Sequence, residues 1–251
     1  EKVIDPLGHE TCYEYDKMWN VSAVVLPNGA KSLYEYNQDN HMSRMTDALG
    51  NKTEFRYDVN GKCIAETDCM GSKEFSYDDV GRLVQVKEPN GGITKYEYDA
   101  EDHVIHIIDP MNNEVHLEYD KVGNLLQIKR TGEQGESDSV TDYKWDLQGN
   151  VIQIKDPLGA VECFSYDRNG RMAAKTDRDG CVTNYKYNPT GQISEIVYAD
   201  GQKVKLSYNA LRQLEEMKDW IGSTRICLDK MGRPLSVTDA NGQKVSYEWN
   251  N

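Results

Sequence analysis

Tyr77-Asp78-Asp79-Val80-Gly81-Arg82-Leu83, followed by Pro89-Asn90-Gly91 and then Tyr96-Glu97-Tyr98-Asp99, decides how this chain is read. An aromatic residue and an acid open the stretch, and a glycine follows three places after the acid. A second glycine comes ten places later, and the aromatic–acid pair returns after 21 residues. Asp at the first position and Gly at the fourth mark a type I turn. Between the turns, Thr94, Tyr96 and Tyr98 alternate with Lys95 and Glu97, a period of two that sets the aromatics on one face of a strand. The stretch reads as one β-hairpin, with the chain reversing about every ten residues.

The same unit extends in both directions. The anchor pairs are Tyr15-Asp16, Tyr36-Asn37, Tyr57-Asp58, Tyr77-Asp78, Tyr98-Asp99, Tyr119-Asp120, Trp145-Asp146, Tyr166-Asp167, Tyr187-Asn188, Tyr208-Asn209 and Trp249-Asn250, with Leu228-Asp229 in one degenerate slot. Successive anchors lie 21, 21, 20, 21, 21, 26, 21, 21, 21, 20 and 21 residues apart, which predicts a single array of about twelve tandem repeats over residues 1–251. The first turn carries its glycine at Gly61, Gly81, Gly123, Gly149, Gly170, Gly191 and Gly232, and the second at Gly71, Gly91, Gly159, Gly180, Gly201 and Gly242. Where the first glycine is missing, Asn40 and Asp102 tolerate positive φ, whereas Trp19 and Arg212 do not do so readily, so those two turns are expected to differ. The second strand alternates too, as in Ile152 and Ile154 set against Gln153 and Lys155.

The irregular intervals are informative, because a one-residue slip turns every side chain of a strand to the wrong face. Both 20-residue repeats lose their residue between the second glycine and the anchor, from Gly71 to Tyr77 and from Gly222 to Leu228, where a turn or bulge is expected to absorb the change. The 26-residue interval places an acidic inserted loop at about residues 131–140, read as a tolerated insertion in preference to a binding loop.

Composition agrees with a thin β-structure. Hydrophobic residues make up 38% of the chain and mean hydropathy is −0.75, too polar for one thick core, yet 16 Tyr and 4 Trp argue against disorder. With 29 Lys+Arg against 42 Asp+Glu, the net charge of −13 opposes binding to nucleic acid or anionic membranes. No stretch approaches the ~18 apolar residues of a membrane-spanning helix. The opening at Glu1, without an initiator Met or leader pattern, is expected of a piece of a longer protein whose export signal lies elsewhere. The fold class expected is all-β, with about 24 strands at ~4.8 Å making a ribbon on the order of 115 Å long. Twisted sheets of more than ~10 strands curl or split, so this ribbon is expected to curl into a spiral or part of a hollow shell.

With anchor, turns and period in hand, the chain resembles the YD-repeat, or Rhs-repeat, family over essentially all 251 residues, and the stretch from Tyr77 to Asp99 matches its consensus. The family includes bacterial Rhs proteins, wall-associated protein A type surface proteins, shell components of insecticidal Tc toxins and animal teneurins. The resemblance implies a long β-sheet spiralling into a hollow shell that, in bacterial polymorphic toxins, encloses a C-terminal toxin. It also implies secretion or surface display. The family's self-cleaving core ends in Asp-Pro-x-Gly; Asp5-Pro6-Leu7-Gly8 and Asp156-Pro157-Leu158-Gly159 are instead followed by further repeats and read as ordinary turns.

Chemistry-bearing patterns are sparse. The Asp column at 16, 58, 78, 99, 120, 146, 167 and 229 could suggest a calcium ladder, but equivalent positions two strands apart are separated by ~10 Å, too far to share an ion. His9, His41, His103, His106 and His116 show no ligand set at recognised spacing, although His103 and His106 are close in sequence; no metal site and no cofactor are expected. Cys12, Cys63, Cys69, Cys163, Cys181 and Cys227 select no disulfide connectivity and read as free thiols. Tyrosine pairs such as Tyr13/Tyr15, Tyr34/Tyr36, Tyr96/Tyr98 and Tyr185/Tyr187 read as packed columns in preference to a sugar-stacking platform. Motifs of hydrolases, metalloproteases and nucleotide binders are missing, so no enzyme is expected.

Two functional readings follow. One is a non-catalytic scaffold, an arc of β-shell whose partners are the remainder of the parent protein and an enclosed toxin. The other is a cell-surface adhesion or carbohydrate-binding module meeting a surface glycan or protein. Asn20-Val21-Ser22 and Asn51-Lys52-Thr53 are sequons that matter only in a eukaryotic secretory route. Unpaired edges at the first strand, Glu10 to Tyr15, and the last, Lys244 to Trp249, are expected to permit self-association.

Overall fold

The computed structural model describes residues 1–132 and 137–249. These form 24 strands and, among the described residues, no helix. Two compact units divide the chain: Glu1–Leu117 with Arg130–Asp138, and Glu118–Lys129 with Ser139–Asn251. Each is an open, curled antiparallel sheet of tandem hairpins, the all-β class read from the period. Strands pair with their neighbours in chain order, as Lys31–Tyr36 does with Val21–Val25 on one side and Met42–Thr46 on the other.

Among the described residues of each unit a strand touches only its neighbours in the ladder, and no second layer covers the sheet. Burial is correspondingly shallow. Among the described residues the buried apolar side chains are Ala23 (1% exposed), Ala65 (0%), Val86 and Val204 (8% each), and no large side chain is fully enclosed. The face bearing Thr94, Tyr96 and Tyr98 is half-buried, while Ile93, Lys95 and Glu97 stand exposed on the other. That exposed face carries ion pairs across strands, such as Arg44 with Glu35 at 3.1 Å and Glu54 at 2.7 Å. Being exposed, each contributes about 0–1 kcal/mol.

The turns follow one recipe. The amide of Gly61 donates to the Asp58 carbonyl (3.1 Å) and the amide of Asp58 to the Lys62 carbonyl (2.9 Å), with Gly61 at φ 82°. This is a three-residue hairpin loop closed by a left-handed residue. The second turn repeats it, with Gly91 donating to Glu88 and Glu88 to the Gly92 carbonyl, both at 2.8 Å. Both Asp-Pro-Leu-Gly segments are ordinary turns of this kind, Gly8 donating to Asp5 (3.0 Å) and Gly159 to Asp156 (2.9 Å).

Three findings depart from or refine the sequence reading. Trp19 and Arg212 were expected to make different turns, yet they take φ 67° and 63° and close the same loop, donating to Asp16 (3.2 Å) and Asn209 (2.9 Å). The loop is fixed from both sides by the strands and the anchor carboxylate or amide, and this outweighs the ~1–2 kcal/mol cost of the left-handed conformation. The short repeats lose a turn residue: Asp68 pairs directly with Gly71, and Asp219 donates to the Gly222 carbonyl at 2.9 Å, so the following strand keeps its faces. The outermost strands are Lys2–Ile4 and Lys244–Ser246, three exposed residues each, where longer end strands were expected. The Asp5 turn folds Lys2–Ile4 back onto Glu10–Tyr15, so that strand is not an edge.

A bulge recurs at the anchor, with the register shifting at Glu14/Tyr15, Glu35/Tyr36, Arg56/Tyr57, Ser76/Tyr77 and Glu97/Tyr98, and again from Lys144/Trp145 to Cys227/Leu228. Bulges increase local twist, and one at the same place in successive hairpins bends the sheet cumulatively. Residues 133–136 of the inserted loop, and Asn250 of the last anchor pair, lie outside the described residues.

Substitution tests the turn assignments. Trp19→Gly or Arg212→Gly is expected to stabilise by about 1 kcal/mol by relieving a left-handed side chain. Gly71→Ala is expected to cost more than Gly159→Ala, because an added Cβ at Gly71 meets Pro89 Cβ at 2.8 Å whereas at Gly159 it meets nothing within 4 Å. Urea midpoints of the four variants read both outcomes.

Candidate functional site

The repeated anchor is the most regular constellation of polar groups in the molecule. Most anchor aromatics end a strand and reach across to a backbone carbonyl of the neighbouring strand. The hydroxyls of Tyr36, Tyr57, Tyr98, Tyr166, Tyr187 and Tyr208 donate to the carbonyls of Val21, Met42, Leu83, Val151, Met172 and Ile193 at 2.7–3.1 Å, always 15 residues back. Tyr77 reaches Cys63, 14 residues back in a shortened repeat, at 2.8 Å. Trp145 and Trp249 keep the function with their indole N–H, donating to Leu125 and Pro234 at 2.7 Å. Tyr15 bonds the Glu1 carboxylate (3.0 Å), Tyr119 closes the strand Glu114–Tyr119, and Leu228 has no donor to offer.

The acid or amide that follows organises the turn. Asp16 Oδ1 accepts from the amides of Met18 (2.8 Å) and Asn20 (2.9 Å), and Asp58, Asp99, Asp120, Asp146, Asp167 and Asp229 repeat the i+2 and i+4 pattern. Asn37, Asn188 and Asn209 use their amide oxygen in the same way. Asp78 takes the amides of Gly81 and Arg82, both at 2.8 Å. The glycines Gly61, Gly81, Gly123, Gly149, Gly170, Gly191 and Gly232 all sit at positive φ in these turns.

A further position, four residues after the acid, was missed in the sequence. Its side chain closes on the second carboxylate oxygen: Asn20, Asn124 and Asn150 at 2.9–3.0 Å, Arg82, Arg171 and Arg233 at 2.7–2.8 Å, and His103 at 3.0 Å. It also covers the next anchor ring. The Arg82 guanidinium lies 4.8 Å from the Tyr98 centroid, Arg171 4.5 Å from Tyr187 and Lys62 5.1 Å from Tyr77, while His41 stacks on Tyr57 at 4.8 Å. From some repeats it reaches the next turn as well, Arg82 to the Asp99 carbonyl (2.9 Å) and Gln192 to the Arg212 carbonyl (2.6 Å). The signal was present as a run of Arg, Lys, His, Asn and Gln just after the turn glycine.

These contacts explain the electrostatics. The Asn partner, then the turn amides, hold the carboxyls of Asp16, Asp120 and Asp146 below their usual range; the Arg171 guanidinium does so for Asp167. Burial raises the phenols of Tyr36, Tyr57, Tyr77, Tyr98, Tyr166 and Tyr187. Each anchor carboxylate is engaged within its own turn, which leaves it poorly placed for a shared calcium ladder. All six cysteines are free thiols, and burial pushes Cys63 upward.

The histidines do not group as their spacing suggested. His103 turns to Asp99, whereas His106 meets His116 and Glu114, whose ligand atoms lie within 4.8 Å of one another. The carboxylate and second imidazole come from the facing strand, where linear spacing does not reveal them.

The chain matches the model of the Teneurin YD-shell over residues 12–137 and 135–218. Among solved structures it is similar to the crystal structure of TcdB2-TccC3-Cdc42, with a TM-score of 0.59 and 12% identity over 97% of this chain and 17% of that one. It is similar too to TcdB2-TccC3 without its hypervariable C-terminal region (TM-score 0.58, 13% identity, 96% of this chain and 17% of that). At such identities the likeness is one of fold, and this chain spans about a sixth of the length of those it matches. No curated protein matches it.

Acid titration tests the turn carboxylates. The folded pKa values of Asp16, Asp120, Asp146 and Asp167 lie below the unfolded value of about 3.9, so the stability they contribute is present above about pH 4 and is lost as pH falls through the folded values. The melting temperature is expected to drop steeply below ~pH 4 and less so in an Asp120→Asn, Asp146→Asn double variant; an unchanged melting temperature down to ~pH 2.5 would contradict the assignment.

Proposed function

Because the chain belongs to the Teneurin YD-shell family, we propose that it is a non-catalytic structural scaffold, an arc of β-shell in a larger secreted or surface protein. In this reading residues 1–251 are a single array of about twelve repeats with one tolerated insertion, and the aromatic–acid anchors and turn glycines are structural residues. The parent shell encloses or carries a toxin domain encoded further along the chain. The observation that carries the reading is the use made of the polar groups. Phenols, indoles, carboxylates and the side chains after the turn are engaged with one another or with backbone, in repeat after repeat, as a wall requires. The fold likeness to TcdB2-TccC3 chains supports a shell role.

A glycan platform is less well supported, since sugar stacking needs open ring faces. Lys62, Arg82 and Arg171 cover faces of Tyr77, Tyr98 and Tyr187, and His41 stacks on Tyr57. The partners proposed are therefore further repeats, paired through the short end strands Lys2–Ile4 and Lys244–Ser246, and the enclosed cargo.

Limited proteolysis of the full parent protein tests enclosure. The segment downstream of the repeats is expected to be cut at least ten times more slowly within the intact parent than when produced alone. Equal rates would rule enclosure out.

A further inference from the structure

We propose that His106, His116 and Glu114 form a binding site for a divalent transition-metal ion of the zinc class. The proposal stands apart from the shell reading and rests on sheet register. Three adjacent strands, Ile93–Tyr98, Val104–Ile108 and Glu114–Tyr119, set Glu97 opposite His106 and His106 opposite His116. All lie on the face opposite Tyr96 and Tyr98, since side chains alternate along a strand. Glu114, two residues before His116, shares that face.

The geometry suits a small ion. The two imidazoles stack with centroids 4.3 Å apart and planes at 10°. Nε2 of His106 lies 3.3 Å, and Nε2 of His116 3.2 Å, from the same Oε2 of Glu114. Four-coordinate zinc with bonds of ~2.1 Å has ligand-to-ligand edges of ~3.4 Å, so both nitrogen–oxygen edges are already near that length. The nitrogens close on the ion by side-chain rotation alone, because the ladder holds the backbones. Two imidazoles and one carboxylate select zinc, copper, nickel or cobalt over calcium or magnesium, which favour oxygen ligands. Three protein ligands leave the fourth position to water.

The surroundings support the same assignment. Nδ1 of His106 lies 3.3 Å from Glu97 Oε2, so a carboxylate on the far nitrogen orients the ring with Nε2 toward the ion. The side chain of His106 is 16% exposed and that of His116 42%, so the ion would have a covered side and an open one. Thr131 brackets the backbone of Glu114, its Oγ1 accepting from the Glu114 amide (3.1 Å) and its amide donating to the Glu114 carbonyl (3.0 Å).

The full chain, stripped with a chelator and titrated calorimetrically with Zn²⁺, is expected to bind one equivalent saturably. Glu97→Gln should weaken binding about tenfold, by loss of the orienting carboxylate. His116→Gln, at a half-exposed position, should weaken it at least tenfold, whereas His9→Gln should match the unmodified chain. Cu²⁺ added to the unmodified chain should give an electron paramagnetic resonance spectrum with two imidazole nitrogens, a readout independent of any variant's folding. No saturable Zn²⁺ binding, a one-nitrogen copper spectrum, or unchanged affinity in His116→Gln would each overturn the proposal.

Discussion

The hydrogen bond from an anchor aromatic to a backbone carbonyl of the neighbouring strand is the contact on which the other regularities depend. Among the described residues of each unit the sheet has no second layer, and its buried apolar groups are a few Ala and Val side chains. A conventional core gains ~1.5–3 kcal/mol for each large apolar side chain it encloses, and that source is largely missing here. Cohesion must come from many modest, repeated interactions. A phenol or indole donor worth ~1 kcal/mol, a turn acid satisfying two amides, and a cation over the next ring supply such interactions at intervals of about 21 residues.

The anchor also explains the bend. Its aromatic sits where the register shifts, so the bulge that adds twist also turns the donor toward the neighbouring strand. Length and curvature are thereby linked: the 20-residue repeats lose a residue from the opposite turn and leave the bulged end unchanged, and Tyr77 still finds its carbonyl.

Strands, turns and faces were legible in the sequence because period-two alternation and Asp-x-x-Gly spacing are local properties. Trp19 and Arg212 were misread because local preference was weighed without the loop's fixed ends, which hold even a bulky residue at positive φ. The bulges leave no compositional mark. The side chain four after the acid was visible as a polar column, but its two-way contact, back to the carboxylate and forward to the next ring, exists only once hairpins are stacked. His106 and His116 could have been paired from the turn between them: Asp109 and Asn113 close it, and the histidines lie three residues outside each. Searching for ligands by linear spacing pointed to His103, which belongs to the turn of Asp99.

The most direct measurement is equilibrium urea unfolding of Tyr98→Phe beside Tyr96→Phe. Both rings stand on the same face of one strand, but Tyr98 donates to the Leu83 carbonyl at 2.7 Å and lies under Arg82. If the clasp holds the sheet, removing the Tyr98 hydroxyl costs about 1–2 kcal/mol, while removing that of Tyr96 costs less than about 0.5 kcal/mol. Equal effects at the two positions would mean that the tyrosines act by packing alone, and would contradict the account.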